Sequence, residues 1–157
     1  MAIRNIRKDD DPILRKQSRE VTVFDSKLHQ LLDDMADTMN SVSGVGIAGV
    51  QVGILRRVIV IDVGDGLIEL VNPVITYQTK HQVTDAEGCL SFPKQWGAVP
   101  RPFKVTVKAQ TRHGDMTTIT GEELLARAIC HEVDHLDGII FKDKATRMID
   151  PKEMEDK

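Results

Sequence analysis

The sequence has few cysteines and no long apolar run, and each absence excludes a class of protein. Two cysteines among 157 residues cannot build the disulfide framework of a small secreted domain, and free thiols suit a reducing cytosol. No apolar stretch is long enough to cross a bilayer. The opening residues, MAIRNIRK, contain no apolar signal core. We therefore expect a cytoplasmic protein without a membrane span.

An excess of charge of one sign is also lacking. The formal net charge is -3, and acidic and basic residues are interspersed, so the chain shows no footprint for direct, sequence-specific nucleic-acid binding. Internal repeats, low-complexity segments and linkers are absent, and this length suits one domain with a buried core. We expect residues 1–157 to form a single domain.

The most informative pattern is HEVDH at residues 131–135. Side chains four residues apart project from the same face of a helix. His131 and His135 could therefore grip one metal ion, with Glu132 beside them to handle the protons of a metal-bound water. The pattern predicts metal-assisted hydrolysis, and the alternative is an ordinary amphipathic helix with two solvated histidines.

The flanking residues predict that this segment is helical. Residues 124–129 are good helix formers. Glu122 and Glu123 place negative charge in the expected first turn, and Gly138 is a plausible stop. The histidines would then lie beside an apolar stripe, where water is scarce and a metal binds well, so the metal site is favoured.

Two histidines leave a hydrolytic metal site incomplete, because such sites usually take three protein groups and one water. Cys89 is a candidate third ligand because a thiolate is a soft ligand for zinc or iron(II), although most free cysteines are small buried hydrophobes. Cys130 points about 100° away from His131 around the helix and cannot easily join the same site. Downstream there is no further histidine, but Glu153 and Glu155 remain available.

A third segment, GVGIAGVQVG at 44–53, is rich in glycine. Glycine lets a backbone approach a bound group closely, and Gln51 offers a neutral amide donor beside it. A flexible turn is the alternative. The segment lacks the lysine of a phosphate-binding loop and follows no expected strand, so nucleotide binding is not expected.

The remaining pattern predicts an α+β fold. A helix begins near Asp25, and its core positions follow helical spacing at Leu28, Leu31, Leu32, Met35 and Met39. Strands are expected at residues 57–63, 67–71, 104–109 and 116–120, joined by glycine-containing turns. We expect antiparallel sheets packed around a central metal-binding helix. The histidines without motif partners are expected at the surface or in turns: His29, His81 and His113.

Together these segments resemble the peptide deformylase family, whose enzymes remove the formyl group from nascent bacterial proteins. The family's three signatures are a glycine-rich loop ending in glutamine, a Glu-Gly-Cys-Leu-Ser segment and a His-Glu-x-x-His-Leu-x-Gly helix. They occur here in the same order, at 44–51, 87–91 and 131–138, and DDPILR at 10–15 resembles the family's N-terminal segment. The resemblance covers essentially the whole chain and implies one deformylase-like catalytic domain over 1–157.

The resemblance also implies a chemistry and a set of site residues. One divalent metal ion, expected to be Fe(II), with Zn(II) or Ni(II) compatible in purified protein, would be held by Cys89, His131 and His135. Charge on the formyl oxygen would be met by the Gln51 side-chain amide and the Leu90 backbone N–H, while Glu132 handles protons. The formylated peptide would be bound by Val45, Gly46, Gly88 and Trp96.

The chain departs from the family pattern at Gly49, Cys130 and Trp96, where alanine, glutamine and arginine are frequent. None of these is an inferred ligand, so the departures concern the substrate side. The expected partners are N-formylmethionyl nascent peptides, with transient ribosome contact left open. A two-histidine-helix metalloprotease is a weaker alternative because of the cysteine ligand. A non-catalytic homologue that binds nascent chains or metal is disfavoured by the presence of Glu132 and Gln51.

Overall fold

The computed structural model describes residues 2–155 and has the expected α+β architecture. Its helices are α1 (Ser26–Ser41), α2 (Leu124–Leu136), α3 (Phe141–Lys144) and α4 (Pro151–Glu155). Its strands are β1 (Gly46–Ala48), β2 (Val58–Ile61), β3 (Ile68–Gln78), β4 (Gln82–Cys89), β5 (Phe92–Pro102), β6 (Lys104–Gln110), β7 (Met116–Glu122) and β8 (Arg147–Ile149). Within 2–155, none of the helices is long and apolar enough to cross a membrane.

The strands form two antiparallel sheets. The larger has the order β1-β2-β3-β6-β7, and the smaller has the order β4-β5-β8. The four expected strand segments correspond to β2, β3, β6 and β7, so the larger sheet is confirmed except for its edge strand β1. The long β4–β5 hairpin was not expected from the sequence.

The larger sheet is covered by a helix on each face. Because successive side chains of a strand point to opposite faces, alternate residues of β2 pack against different helices. Val58 and Val60 of β2 pack in the apolar cluster formed with α1. Ile59 and Ile61 pack in the cluster formed with α2, around Ile129. All the core positions expected in α1 are buried. The helix that carries the histidines is therefore buried against a sheet, as expected.

The β4–β5 hairpin brings the smaller sheet to the same helix. Phe92 and Val99 of β5 pack with Leu14 and with Phe141 of α3 in a third apolar cluster. The hairpin reverses direction where Cys89 pairs with Phe92. This reversal places the end of β4 beside α2.

The expected start of α2 is wrong. Glu122 still pairs with Lys104 in the sheet, and Glu123 turns the chain with a φ of 55°, so the helix begins at Leu124 without an acidic first turn. The end is as expected: Gly138 follows the helix with a φ of 74°. A methyl group there would stand 2.5 Å from the Arg15 carbonyl oxygen, so only glycine fits.

The glycine-rich segment is ordered structure and not a flexible turn. Gly46–Ala48 forms β1 at the edge of the larger sheet, and Gly49–Val52 forms a 3-10 turn. The histidines outside the motif lie as expected: His81 and His113 are exposed, and His29 is half-buried, with Nε2 2.8 Å from the Arg112 carbonyl oxygen.

Leu70 and Val74 of β3 provide a test of this packing. Leu70 is fully buried, whereas Val74 is 60% exposed. Leu70→Ala should lower the free energy of unfolding by about 2–5 kcal/mol, because the lost burial and the cavity both count. Val74→Ala should change it by less than about 0.5 kcal/mol. Urea denaturation of both variants measures this, and equal losses would contradict the burial of Leu70 and the exposure of Val74.

Candidate metal centre

Three side chains that can ligate a metal converge where the β4–β5 turn meets α2. Cys89 is the last residue of β4, and α2 presents His131 and His135 from one face. The ligand atoms of the three all lie within 4.8 Å of one another. The Cys89 Sγ lies 3.2 Å from the His135 Nε2. The sequence-predicted ligands are therefore adjacent in space.

The donor set fits a divalent metal ion. A thiolate with two imidazoles suits zinc and iron(II), and three protein ligands leave a position for water. Both histidines are buried. The Nδ1 atom of His135 has no hydrogen-bond partner within the described chain, and burial lowers the pKa of this imidazole well below its usual value, as does the neighbouring His131. His135 is therefore neutral, which is the form that ligates metal.

The other cysteine and one of the two acids considered as ligands lie elsewhere. Cys130 is buried in the apolar cluster between α2 and the larger sheet, and burial raises the pKa of its thiol to about 11. Glu153 pairs with Arg147. Neither is among the clustered ligand atoms found in the described part of the chain, and the side chain of Glu155 lies outside what the structure describes.

Glu87 fixes the orientation of His131. Its Oε2 accepts a hydrogen bond from the His131 Nδ1 at 2.7 Å. The same carboxylate accepts from the Arg101 guanidinium at 2.7 and 3.1 Å and from Arg127 at 3.0 Å. With Nδ1 held this way, the Nε2 of His131 is directed to the Cys89 side of the ring. This role of Glu87 was not predicted from the sequence, although the residue lies inside the second signature.

Burial and pairing oppose each other in the pKa values of this group. Burial raises the pKa of Glu87, but hydrogen bonds from His131 and Arg101 overcome it and lower the pKa to about 2. Burial lowers the pKa of His131, yet the charge of Glu132 and hydrogen bonds to Cys89 and Glu87 raise it well above its usual value, so a metal ion that binds at Nε2 would have to displace a proton. Glu87 is therefore a charged anchor at neutral pH.

Glu132 has a different environment. Its side chain is 4% exposed, and Oε1 finds no hydrogen-bond partner among residues 2–155. Burial raises the pKa of this carboxyl group to about 7, against the opposing charge of His131. A carboxyl group with such a pKa can both accept and release a proton near neutral pH.

Gln51 lies in the 3-10 turn with its amide held at both ends. Its Oε1 accepts from the Ala48 N–H at 2.9 Å, so its Nε2 points the other way. Nε2 donates to the Ser91 Oγ at 3.1 Å and lies 3.6 Å from the Cys89 Sγ. The amide donor therefore faces the ligand cluster. Ser91, fully buried, is a second residue of the motif whose contact was not anticipated.

A cavity of about 520 Å³ opens beside the ligand cluster. Its lining includes Cys89, His131 and Glu132 together with every residue expected to bind substrate or formyl oxygen except Gln51, namely Val45, Gly46, Gly88, Leu90 and Trp96. Trp96 packs closely on Gly88, where a methyl group would stand 2.7 Å from the indole Cζ3. The groove thus reaches Cys89 and His131 of the ligand cluster and the buried carboxyl group of Glu132.

Comparisons with known proteins point to one family. A family model described as polypeptide deformylase matches residues 3–150. A peptide deformylase of Acetivibrio thermocellus is 57% identical over 155 residues, covering 99% of this chain and 91% of the relative. One of Alkaliphilus metalliredigens is 60% identical over 144 residues, covering 92% and 97%. The crystal structure of a peptide deformylase from Thermotoga maritima has a TM-score of 0.91 at 37% identity, covering 93% of this chain and 99% of that one.

Replacing each cysteine by serine tests whether Cys89 is a metal ligand and Cys130 a residue of the apolar core. Cys89→Ser should strip or weaken metal binding, because a neutral hydroxyl is a far poorer ligand than a thiolate. Cys130→Ser should keep the metal, because its thiol packs in the apolar core. Metal content after exhaustive dialysis would be measured for both variants. Equal metal loss would show that the cysteines are misassigned.

Proposed function

This chain belongs to the polypeptide deformylase family, and from that premise we propose how its site works. The enzyme is a metal-dependent amide hydrolase that removes the N-formyl group from the N-terminal methionine of newly synthesised proteins and releases formate. The supporting observation is the convergence of Cys89, His131 and His135 beside a groove that is lined by Cys89, His131 and the buried Glu132. We propose residues 1–157 as one catalytic domain.

Cys89, His131 and His135 would hold one divalent ion, for which we propose Fe(II), with Zn(II) or Ni(II) compatible in purified protein. When bound, the ion supplies hydroxide at neutral pH by lowering the pKa of a water from about 15.7 toward 7. Glu87 keeps His131 in the orientation that ligation needs, through the 2.7 Å contact at Nδ1.

Glu132 moves the protons of the reaction. Its carboxyl group is buried beside the ligands, and its pKa of about 7 lets it take a proton from the attacking water and pass it to the departing amine. An amide nitrogen leaves poorly unless it is protonated. The Gln51 side-chain amide and the Leu90 backbone N–H stabilise the charge that develops on the formyl oxygen, and one such donor is typically worth about 3 kcal/mol.

The groove binds the peptide along β1. This strand lies at the edge of the larger sheet, so an extended peptide can pair with it as an added strand at Val45 and Gly46. Trp96 and Gly88 form the facing wall. We expect the small formyl group to be accepted beside the ligand cluster and a bulkier acyl group to be excluded.

The two alternatives are less well supported. A general metalloprotease is disfavoured because the ligands include Cys89 and because Glu153 pairs with Arg147 and is not among the clustered ligand atoms. A non-catalytic homologue is disfavoured because Glu132 and Gln51 are present and buried at the ligand cluster. We further propose a cytoplasmic location where nascent chains are made, transient ribosome contact, and no direct nucleic-acid recognition.

The experiment that tests this function is formate release after anaerobic purification, with metal analysis of the same sample. Formyl-Met-Ala-Ser is the substrate, and acetyl-Met-Ala-Ser is the matched peptide with a larger acyl group. We expect formate release in proportion to bound metal and no hydrolysis of the acetyl peptide. A metal-replete protein that releases no formate would overturn the function.

Replacing Glu132 separates chemistry from metal binding. Glu132→Ala should retain the metal, because the carboxyl group is not a ligand, but should lower turnover by about a hundredfold or more through loss of the proton carrier. Metal content and formate release would be measured on the same preparation. An active, metal-replete variant would contradict the role.

Trp96 should determine substrate preference more than turnover. Trp96→Arg replaces apolar surface by charge at the groove wall, so the ranking of formyl-Met peptides that differ at the second and third residues should change. The turnover number on the best substrate should fall far less than in Glu132→Ala. Specificity constants on a peptide panel decide this, and an unchanged ranking would make Trp96 structural only.

A further inference from the structure

Gly46 lies in direct contact with the carboxyl group that handles protons. A methyl group placed on its Cα would stand 2.6 Å from the Glu132 Oε2, 3.1 Å from its Cγ and 3.2 Å from its Cδ. The three nearest atoms thus all belong to Glu132. The residue is buried in β1, and its backbone is not among the positive-φ glycines. The backbone conformation would therefore accept any residue, and the contact with Glu132 is what restricts the position to glycine.

Packing holds Glu132 in place more than hydrogen bonding does. Its Oε1 is buried and has no hydrogen-bond partner within the described residues, unlike the carboxylate of Glu87, which has three donor residues. A side chain without polar anchors takes the position that its neighbours leave open. On this side of the carboxyl group the neighbour is the bare Cα of Gly46.

We infer that Gly46 is a positioning residue for Glu132, and that the missing side chain sets where the carboxyl group stands relative to the reacting atoms. This inference rests on the proposed role of Glu132. It is separate from the pairing of the β1 backbone with the peptide, because that pairing uses main-chain atoms that any residue provides.

Gly46→Ala tests the inference. To reach an ordinary contact, the carboxyl oxygen must retreat from 2.6 Å to about 3.4 Å, and a misplacement of about 1 Å can cost about a hundredfold in rate. We expect the kcat for formyl-Met-Ala-Ser to fall at least about tenfold, with metal content unchanged. The affinity for the unformylated product Met-Ala-Ser, measured by calorimetry, should stay within about threefold.

Gly121→Ala is the matched control. Gly121 lies in β7, also outside the positive-φ glycines, and a methyl group there would stand 2.6 Å from the Leu125 Cγ of the same helix α2. The added methyl group in Gly121→Ala therefore crowds α2 as closely as that in Gly46→Ala, but at Leu125 and not at Glu132. We expect a lower melting temperature with kcat within about twofold of wild type. Equal kcat losses in the two variants would overturn the inference, since general crowding would then explain both.

A double-mutant cycle with Glu132→Asp provides a second test. Glu132→Asp shortens the side chain by one methylene and removes the contact with residue 46. Adding Gly46→Ala to Glu132→Asp should therefore change kcat by less than about twofold, whereas independent effects would multiply. The inference would be overturned if the losses in the double variant multiplied. It would also be overturned if Gly46→Ala kept a kcat within twofold of wild type, lost its metal, or lost only peptide affinity. A wild-type protein that releases no formate would instead overturn the proposed function on which it rests.

Discussion

One buried carboxylate joins the parts of the site that come from different elements. Glu87 of β4 accepts hydrogen bonds from His131 and Arg127 of α2 and from Arg101 of β5. Burying an unpaired carboxylate costs several kcal/mol, so β4, β5 and α2 can pack together only with these partners in place. Arg101 also pairs with Asp134 at 2.7 Å, which ties the network to the next turn of α2. Cys89, two residues beyond Glu87, is thereby held beside the histidines.

The site uses two buried carboxyl groups for different purposes. Glu87 is surrounded by donors and has a pKa of about 2, whereas Glu132 lacks donors and has a pKa of about 7. Environment alone therefore keeps Glu87 charged and allows Glu132 to gain or lose a proton near neutral pH, as its proposed role requires. The contrast explains why Glu132, which is adjacent to His131 in sequence, suits proton transfer, whereas Glu87 suits the orientation of His131.

Local patterns were sufficient to predict which three side chains converge at the candidate metal centre and much of the larger sheet. The spacing of His131 and His135 within α2 and the β-branched residues of β2 are properties of neighbouring residues. The role of Glu87 was not predictable in this way, because its partners lie 14, 40 and 44 positions away. The β4–β5 hairpin lacks a regular apolar alternation, since its side chains pack mainly around the turn and in the third cluster. The start of α2 was misplaced because pairing of Glu122 in β7 outweighs its preference for a helix N-terminus.

The most direct test of this account is the metal affinity of Glu87→Gln, measured by competition with a chelator, beside Asp134→Asn. Both substitutions neutralise a carboxylate partner of Arg101, but only the first also neutralises the group to which His131 Nδ1 donates. The account predicts that Glu87→Gln weakens metal binding by about 10–100-fold, while Asp134→Asn lowers stability and leaves the metal affinity within about threefold. A Glu87→Gln variant that binds metal as tightly as wild type would contradict it.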